Sequence, residues 1–232
     1  MPDSSESAGR LLIVSTPIGH LDDLSPRAHE ALRDADVVAC EDTRHSGRLL
    51  VHLGLKRRLL SLHEHNERQR LPQVLALLED GLSVALISDA GTPLLADPGF
   101  PLVREAVRRG FRVEPVPGPS AVLAALVISG LPPHPFTFVG FPPPKAGKRR
   151  RFYERFATLD HTLVIYESPH RLLASLDDAV KILGNRPAAI GRELTKLHEE
   201  VLRGPLLDLI AELRDRPSLK GEFVIVVGAT SG

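Results

Sequence analysis

The chain has 232 residues, 43% of them hydrophobic and 25% charged, which is enough for one large or two modest globular domains with a hydrophobic core. Lysine plus arginine and aspartate plus glutamate each number 29, so no net positive charge draws the whole protein to nucleic acid or to an anionic membrane. The single cysteine excludes an internal disulfide, and a polar N-terminus without any apolar run of roughly 18 residues predicts a cytoplasmic protein rather than a membrane one.

Short apolar runs alternate with helical patterns in the first half of the chain. Apolar residues at helical spacing, such as Ala28, Ala31, Leu32 and Ala35, predict helices between the runs. The alternation is typical of a mostly parallel α/β sheet with helices on both faces. The predicted strands are residues 11–15, 37–40, 58–62, 82–88 and 111–116.

The composition changes between residues 128 and 152, which contain six prolines and a basic cluster. Because prolines interrupt helices and strands, we place an interdomain linker near residue 132. Strand and helix patterns then resume, with helices predicted from about residue 146 and near 206–214. The apolar run FVIVV predicts a last strand that is central or well covered. The predicted organisation is a disordered N-terminus (1–10), an N-terminal α/β domain (11–131) and a smaller C-terminal α/β domain (132–232).

Ligands of open α/β sheets collect at the carboxyl ends of the strands, so the loops there are the candidate sites. The first loop, STPIGHLDDLSP at 15–26, has neither G-x-G-x-x-G nor G-K-[ST], and a pyrophosphate cradle is not expected. Pro17 and Gly19 instead predict a rigid turn whose backbone meets a small, mostly neutral ligand.

The loop after the second strand is EDTRHSGRLL, and two interpretations of it stay open. Asp42 or Thr43 can cap the next helix, with Glu41 favoured by the helix dipole. The alternative is a carboxylate beside a reaction centre.

The next loop, HEHNERQR at 63–70, places His63 and His65 on one face of an extended segment, as in a metal-binding pair. No further His or Cys cluster completes such a site, so we predict no metal. The loop is then either a hydrogen-bonding loop with a possible general base or a solvated polar loop.

The segment SDAGTPLLADPG at 88–99 holds more Asp, Gly, Thr and Pro than a simple turn needs. It predicts a wide loop that folds over a ligand and ends at a helix starting near Pro98. The segment PVPGPSAVLAAL introduces a further helix in the same way.

The segments TPIG at 16–19, SDAGTPLLADPG at 88–99 and PGPSA at 117–121 together resemble the cofactor loops of the tetrapyrrole methylase superfamily, whose members bind S-adenosylmethionine in a cleft between two α/β domains. The segments EDTRHSGRLL, HEHNE, GFPPPKAGKRR, YESPHR and RELTKLHEE are similar to those superfamily members that methylate a ribose 2′-hydroxyl of a cytidine in the decoding region of 16S rRNA. The resemblance implies an S-adenosylmethionine cofactor, small ribosomal subunit rRNA as substrate, and a homodimer.

The resemblance also implies a set of cofactor-binding residues. Asp89 would accept hydrogen bonds from a hydroxyl or ammonium group, and Ser120 with Ala121 would approach a carboxylate through a helix N-terminus. Tyr166 would close the adenine side, although it can equally be strand packing, and Arg192 can be a surface ion pair. The implied set is Pro17, Ile87, Ser88, Asp89, Thr92, Ser120, Ala121 and Tyr166, with Arg192 or Glu193.

Methyl transfer to a hydroxyl is an in-line displacement at a sulfonium, so alignment supplies much of the rate and a proton acceptor near the weakly acidic hydroxyl is useful. Asp42, His65 and Glu67 are the catalytic candidates, in no order of preference.

Six cations within eleven residues predict the RNA-binding surface, unless they are merely a solvated helix start. Only 4% of the residues are aromatic, which favours phosphate contacts over base stacking. Many relatives continue past the last strand whereas this chain stops at VVGATSG, so we expect the RNA contacts elsewhere. The predicted RNA-binding residues are Lys145, Lys148, Arg149, Arg150, Arg151 and Arg155.

Two alternatives to the rRNA methyltransferase stay open. One is a methyltransferase of the same fold that acts on a tetrapyrrole precursor, although clustered cations suit it less than a roomy apolar trough would. The other is a ribosome-assembly factor that binds RNA without catalysis.

Overall fold

The computed structural model describes residues 9–229, and its contacts divide the chain into two compact units, with the boundary in the sequence between Ser120 and Ala121. The helix that begins at Ala121 belongs to the second unit because it packs on two strands of that unit. The linker predicted near residue 132 follows this helix. Of the N-terminal stretch predicted to be disordered, residues 1–8 lie outside the described residues, whereas Arg10 begins a strand and the Gly9 amide donates to the Leu78 carbonyl at 3.0 Å.

The first unit contains a five-stranded sheet in which every pair of neighbours is parallel. The order across the sheet is β3-β2-β4-β1-β5, which confirms the predicted parallel α/β architecture. Each strand lies within or beside the segment predicted for it. The strands are β1 (Arg10–Val14), β2 (Val37–Cys40), β3 (Arg58–Ser61), β4 (Val84–Leu86) and β5 (Arg112–Val116).

Helices cover both faces of this sheet, two on each. Residues of α1 and α2, such as Leu32 and Leu50, pack against one face, and residues of α3 and α4, such as Leu75 and Leu102, pack against the other. The chain moves in one direction across the sheet from β1 through β2 to β3, and then in the other direction through β4 to β5. Because each crossover is right-handed, the helices of the outward crossovers and those of the returning crossovers lie on opposite faces. The helices are α1 (Pro26–Asp34), α2 (Thr43–His52), α3 (Glu67–Glu79) and α4 (Phe100–Arg108).

The second unit contains a mixed five-stranded sheet in the order β6-β7-β10-β8-β9. Strand β6 is parallel to β7, and the other neighbours are antiparallel. The last strand lies at the centre of the sheet with all five residues buried, which confirms the prediction from FVIVV. The strands are β6 (Phe136–Gly140), β7 (Thr162–Glu167), β8 (Pro187–Arg192), β9 (Glu200–Pro205) and β10 (Phe223–Val227).

Helices of the second unit share one large apolar core with β7, β8 and β10. Tyr153, Leu172 and Leu209 lie in that core and come from three different helices. None of the described helices is long and apolar enough to cross a bilayer. The helices are α5 (Ala121–Ile128), α6 (Ala146–Glu154), α7 (Leu172–Leu183) and α8 (Leu206–Arg214).

We expect Ile225→Ala to lower the free energy of unfolding by about 2–5 kcal/mol, because it opens a cavity in a core that cannot fully collapse. Ile225 is fully buried on β10 and pairs with Ile165 on one side and Ile190 on the other. Urea unfolding followed by circular dichroism measures the change. The control is Val51→Ala, at a side chain that is 77% exposed, where a change within about 0.5 kcal/mol is expected. Equal losses in the two variants would contradict the assignment of β10 to the core.

Candidate functional site in the first unit

The loops after β1 and β4 are joined by backbone hydrogen bonds. The Thr16 amide donates to the Gly91 carbonyl at 2.9 Å, and the Gly91 amide donates back to the Thr16 carbonyl at 3.1 Å. The Thr16 hydroxyl also donates to the Ser88 carbonyl at 3.2 Å, and Thr16 and Ser88 are both buried. Pro17, which follows Thr16, is buried as well. The two predicted cofactor loops therefore form one rigid surface.

The loop after β5 joins this surface through side chains. The hydroxyls of Ser15 and Thr92 lie 3.1 Å apart, and the Thr92 hydroxyl donates to the Pro119 carbonyl at 3.0 Å. Gly118 leaves no room for a side chain, since a Cβ there would lie 2.9 Å from the Ser15 Cβ. Thr92, predicted to contact the cofactor, thus also holds the first and third loops together.

The wide loop after β4 turns sharply twice before its helix begins. Gly91 and Leu94 have positive φ angles of 81° and 74°, and Gly99, with φ 123°, caps α4. A Cβ on Gly99 would lie 2.7 Å from side-chain carbons of Leu86 and Leu94, so only glycine fits there. The helix begins at Phe100, close to the start predicted near Pro98.

Asp42 caps α2. Its carboxylate accepts a hydrogen bond from the Arg44 amide at 2.8 Å and pairs with the Arg44 guanidinium, which lowers the pKa of Asp42 to about 2. The capping interpretation of this loop is therefore confirmed. The Asp42 amide also donates to the Asp89 carboxylate at 3.3 Å, so the loops after β2 and β4 touch. A carboxylate with so low a pKa is a weak proton acceptor.

Three carboxyl groups influence one another at this edge of the sheet. Burial, together with the nearby charges of Glu41 and Asp89, raises the pKa of Asp97 to about 6. Burial also raises the pKa of Glu41, again with a contribution from Asp89. Burial is the largest cause of both raised pKa values, and a positive charge placed beside these carboxyl groups would lower them again.

Two polar atoms beside these loops are buried without a hydrogen-bond partner in the described part of the chain. They are the Ser120 Oγ, in the loop after β5, and the His63 Nδ1, in the loop after β3. Buried polar atoms are nearly always paired with protein, water or ligand. Unsatisfied atoms at this edge, together with the mutually repelling carboxylates, fit a polar and positively charged ligand.

The other two predicted catalytic residues differ in their surroundings. Glu67, the first residue of α3, accepts a hydrogen bond from the Gly99 amide at 2.6 Å and so holds the cap of α4. His65 is exposed, and its ring lies edge-on to that of His63 with centroids 6.0 Å apart. Within residues 9–229 no group of three His, Cys, Asp or Glu is arranged to hold a metal ion.

The remaining predicted cofactor residues belong to the second unit. Tyr166 is half-buried on β7 and lies edge-on to Phe138 at 4.9 Å between ring centroids. Arg192 donates to the Lys220 carbonyl at 2.8 Å. Glu193 has a positive φ of 50° and accepts a hydrogen bond from the Glu222 amide at 2.9 Å. Arg192 and Glu193 thus hold the β8–β9 connection to the segment before β10, and their cofactor roles stay predictions.

The predicted basic cluster lies in and beside α6, but one of its members is not a surface residue. The Arg149 and Asp178 side chains are each only 6% exposed, and the Arg149 guanidinium contacts one Asp178 oxygen through Nε at 2.8 Å and Nη2 at 2.7 Å. We therefore remove Arg149 from the RNA-binding set, because a guanidinium that is buried and paired cannot reach a phosphate. The exposed members are Lys145, Lys148, Arg150, Arg151 and Arg155.

Sequence reasoning missed Asp97 and Glu41 as members of the carboxylate cluster and missed Asp178 altogether. Asp97 was noticed only as one of the polar residues of its loop. Its raised pKa depends on burial near Asp89 of the same loop and Glu41 of the loop after β2. The sequence did contain a signal for this cluster. Glu41 directly follows β2, and Asp89 and Asp97 lie in the loop after β4, at the edge of the sheet where ligands bind.

The fold and these loops define a class of methyl-transferring protein. A family model described as Tetrapyrrole (Corrin/Porphyrin) Methylases matches residues 10–210. Among solved structures, uroporphyrin-III-C-methyltransferase from Thermus thermophilus superposes with a TM-score of 0.65 at 25% identity, covering 95% of this chain and 94% of that one. Diphthine synthase superposes with a TM-score of 0.73 at 18% identity, covering 96% and 90%, which shows a shared fold.

Curated relatives narrow the class further. Ribosomal RNA small subunit methyltransferase I of Xylella fastidiosa is 51% identical over 94% of this chain and 81% of its own length. The protein of the same name from Escherichia coli O157:H7 is 46% identical over 97% of this chain and 79% of its own length. The chain belongs to the ribosomal RNA small subunit methyltransferase I family of tetrapyrrole methylases, and it is a methyltransferase.

We expect Asp97→Asn to stabilise the protein above pH 6 relative to wild type. The carboxyl titrates near pH 3.8 when unfolded and near 6 when folded, so the native state binds the proton more tightly and wild-type stability falls as the pH rises between these values. The difference in free energy of unfolding between the variant and wild type should grow by on the order of 1 kcal/mol from pH 4 to pH 7. This is less than the full difference between the two pKa values would give, because the carboxyl is partly exposed to solvent.

Urea unfolding at several pH values measures this advantage. Asp23→Asn, at an exposed carboxyl of the same unit, is the control for loss of one negative charge. An advantage of Asp97→Asn that stays constant between pH 4 and pH 7 would contradict the raised pKa.

Proposed function

We propose that the protein transfers a methyl group from S-adenosylmethionine to the 2′-hydroxyl of a cytidine in the decoding region of 16S rRNA. The similarity along at least 94% of the chain to relatives named ribosomal RNA small subunit methyltransferase I supports this proposal most strongly. The connected loops at the carboxyl edge of the first sheet are consistent with a cofactor site. A cytoplasmic location and a homodimer, expected from the family resemblance, go with the proposal as predictions.

The first unit has groups that suit this cofactor. Bound S-adenosylmethionine supplies an electrophilic methyl group on a positively charged sulfur. The carboxylates of Glu41, Asp89 and Asp97 would favour a positive charge near them, and the raised pKa of Glu41 and of Asp97 would fall in its presence. The unsatisfied Ser120 hydroxyl has capacity for a further hydrogen bond. The remaining roles, for Pro17, Ile87, Ser88, Thr92 and Ala121, follow the family pattern.

The attacking hydroxyl must lose a proton, and the residues differ in how well they can accept it. Asp42, with a pKa of about 2, is too weak a base, and Glu67 already accepts the Gly99 amide. Asp97, with a pKa of about 6, combines basicity with ionisation near neutral pH. We therefore add Asp97 to His65 as a proton-acceptor candidate for this step.

The exposed cations of α6 are the proposed phosphate contacts. Lys145, Lys148, Arg151 and Arg155 are spaced three, three and four residues apart, which places them along one side of the helix. With formal net charge zero, the chain can attract RNA only through such local groups.

Transfer of labelled methyl groups tests the function. The protein is incubated with S-adenosylmethionine carrying a radiolabelled methyl group and small ribosomal subunits that lack the modification, and the labelled nucleotide is then mapped. We expect label on a cytidine 2′-oxygen. Label on a tetrapyrrole precursor instead would support the alternative substrate, and binding of subunits without transfer would support the non-catalytic assembly factor.

Paired variants separate cofactor binding from RNA binding. Asp89→Ala should weaken S-adenosylmethionine binding by roughly tenfold, since a hydrogen bond to a charged group contributes on the order of 1.5 kcal/mol or more. Lys148→Ala with Arg151→Ala should leave this affinity unchanged and weaken binding of small subunits. Isothermal titration calorimetry measures the first affinity and filter binding the second. Wild-type cofactor affinity in Asp89→Ala would refute the assignment of the β4 loop.

A further inference from the structure

The loop before α6 has an unusual backbone, because Pro142, Pro143 and Pro144 follow one another. Proline has no amide hydrogen, so these residues offer only carbonyl oxygens for backbone hydrogen bonds. Two arginines bind those carbonyls. Arg171 Nη1 donates to the Pro142 carbonyl at 3.3 Å, and Arg149 Nη1 donates to the Pro144 carbonyl at 3.1 Å. The position of the loop therefore depends on two guanidinium groups.

Each guanidinium is held in turn by a buried carboxylate. Asp178, on α7, contacts Arg149 at 2.7 Å, and both side chains are 6% exposed. Glu167, at the end of β7, has a fully buried side chain and contacts Arg171 at 2.8 Å. The proline loop is thus fixed to β7 and α7 by two ion pairs.

Stability alone does not account for a buried pair of this kind. Removing two charges from water is costly, and well-packed apolar residues of similar volume are often as stabilising or more so. What apolar residues cannot supply is the hydrogen bond from Arg149 to the Pro144 carbonyl. That bond fixes the Pro144 carbonyl at the entry to α6, next to Lys145, whereas Tyr153 anchors the later part of the helix in the core and lies 2.7 Å from the Ser175 hydroxyl.

We propose that Asp178 is a positioning residue for the RNA substrate. Through Arg149 it holds the Pro142–Pro144 loop and aligns the row of exposed cations along α6 with the phosphates of the bound RNA. The inference rests on the proposed function, since it specifies how the proposed RNA-binding helix is oriented. Asp178 acts through Arg149 and does not itself contact RNA or cofactor.

The first test is Asp178→Asn, which removes the negative charge beside buried Arg149 and also the partner of exposed Arg150, whose Nη1 lies 3.5 Å from the second Asp178 oxygen. The substitution raises the net charge of the protein by one, so a purely electrostatic effect would strengthen RNA binding. We expect the opposite, a roughly tenfold loss of affinity for small ribosomal subunits and a fall of about one to two in the slope of log affinity against log salt concentration, because one or two phosphate contacts are lost. S-adenosylmethionine affinity should not change.

The matched control is Asp177→Asn, at the preceding residue of the same helix. Asp177 pairs with Arg214 of α8, with both side chains more than a third exposed, and the substitution changes the net charge by the same amount. Its affinity for small subunits and its salt slope should equal or slightly exceed those of wild type.

A charge-neutral double variant separates positioning from stability. Arg149→Met with Asp178→Leu removes both charges and keeps an apolar filling, so stability in urea should match or exceed wild type. RNA affinity and salt slope should nevertheless fall as in Asp178→Asn, because the Pro144 carbonyl has lost its donor. Arg214→Met with Asp177→Leu is the corresponding control at the surface pair.

The outcomes distinguish the two proposals. A stably folded double variant with wild-type RNA affinity and salt slope overturns the positioning role and leaves the proposed function intact. If the double variant does not fold, wild-type affinity and slope in Asp178→Asn overturn the role in the same way. Failure of the wild-type protein to bind small subunits overturns both proposals.

Discussion

Strand β4 lies between β1 and β2, so the loops that follow these three strands leave the sheet side by side. The chain reaches β4 only after it has moved outward to β3 and returned, and this reversal places the connections of neighbouring strands on opposite faces of the sheet. The hydrogen bonds between Thr16 and Gly91 and between Asp42 and Asp89 are possible only in this order. The carboxylate cluster and the loop surface of the first unit depend on it.

Charge is used differently in the two units. In the first, burial and the charges of neighbouring carboxylates raise the pKa of Glu41 and of Asp97. In the second, buried Asp178 pairs with Arg149 and Arg150, and buried Glu167 pairs with Arg171. Carboxyl groups with raised pKa values suit a site for a positively charged ligand, whereas paired carboxylates suit a scaffold that holds other groups in place.

The sequence predicted the strands, the parallel sheet, the central or well-covered last strand and the helices at 146 and 206 because these depend on local periodicity. It offered a cap by Asp42 or Thr43 as one of two interpretations, and the structure shows Asp42 in that role. It failed at Arg149, which has three cationic neighbours in the run KRRR at 148–151, a run expected to be exposed throughout. Only the facing helix α7 shows that this member of the run points inward to Asp178.

The amino-acid sequence by itself therefore determined the elements, their order and the loops that could carry chemistry, since these follow from spacing, turn residues and capping within short windows. The tertiary structure alone decided which side chains are charged, buried or paired. Asp42 and Asp97 are the same residue type in neighbouring loops, yet their pKa values are about 2 and about 6. The difference arises because an arginine lies beside the first carboxyl, whereas the second is buried near Asp89 of its own loop and Glu41 of the loop after β2.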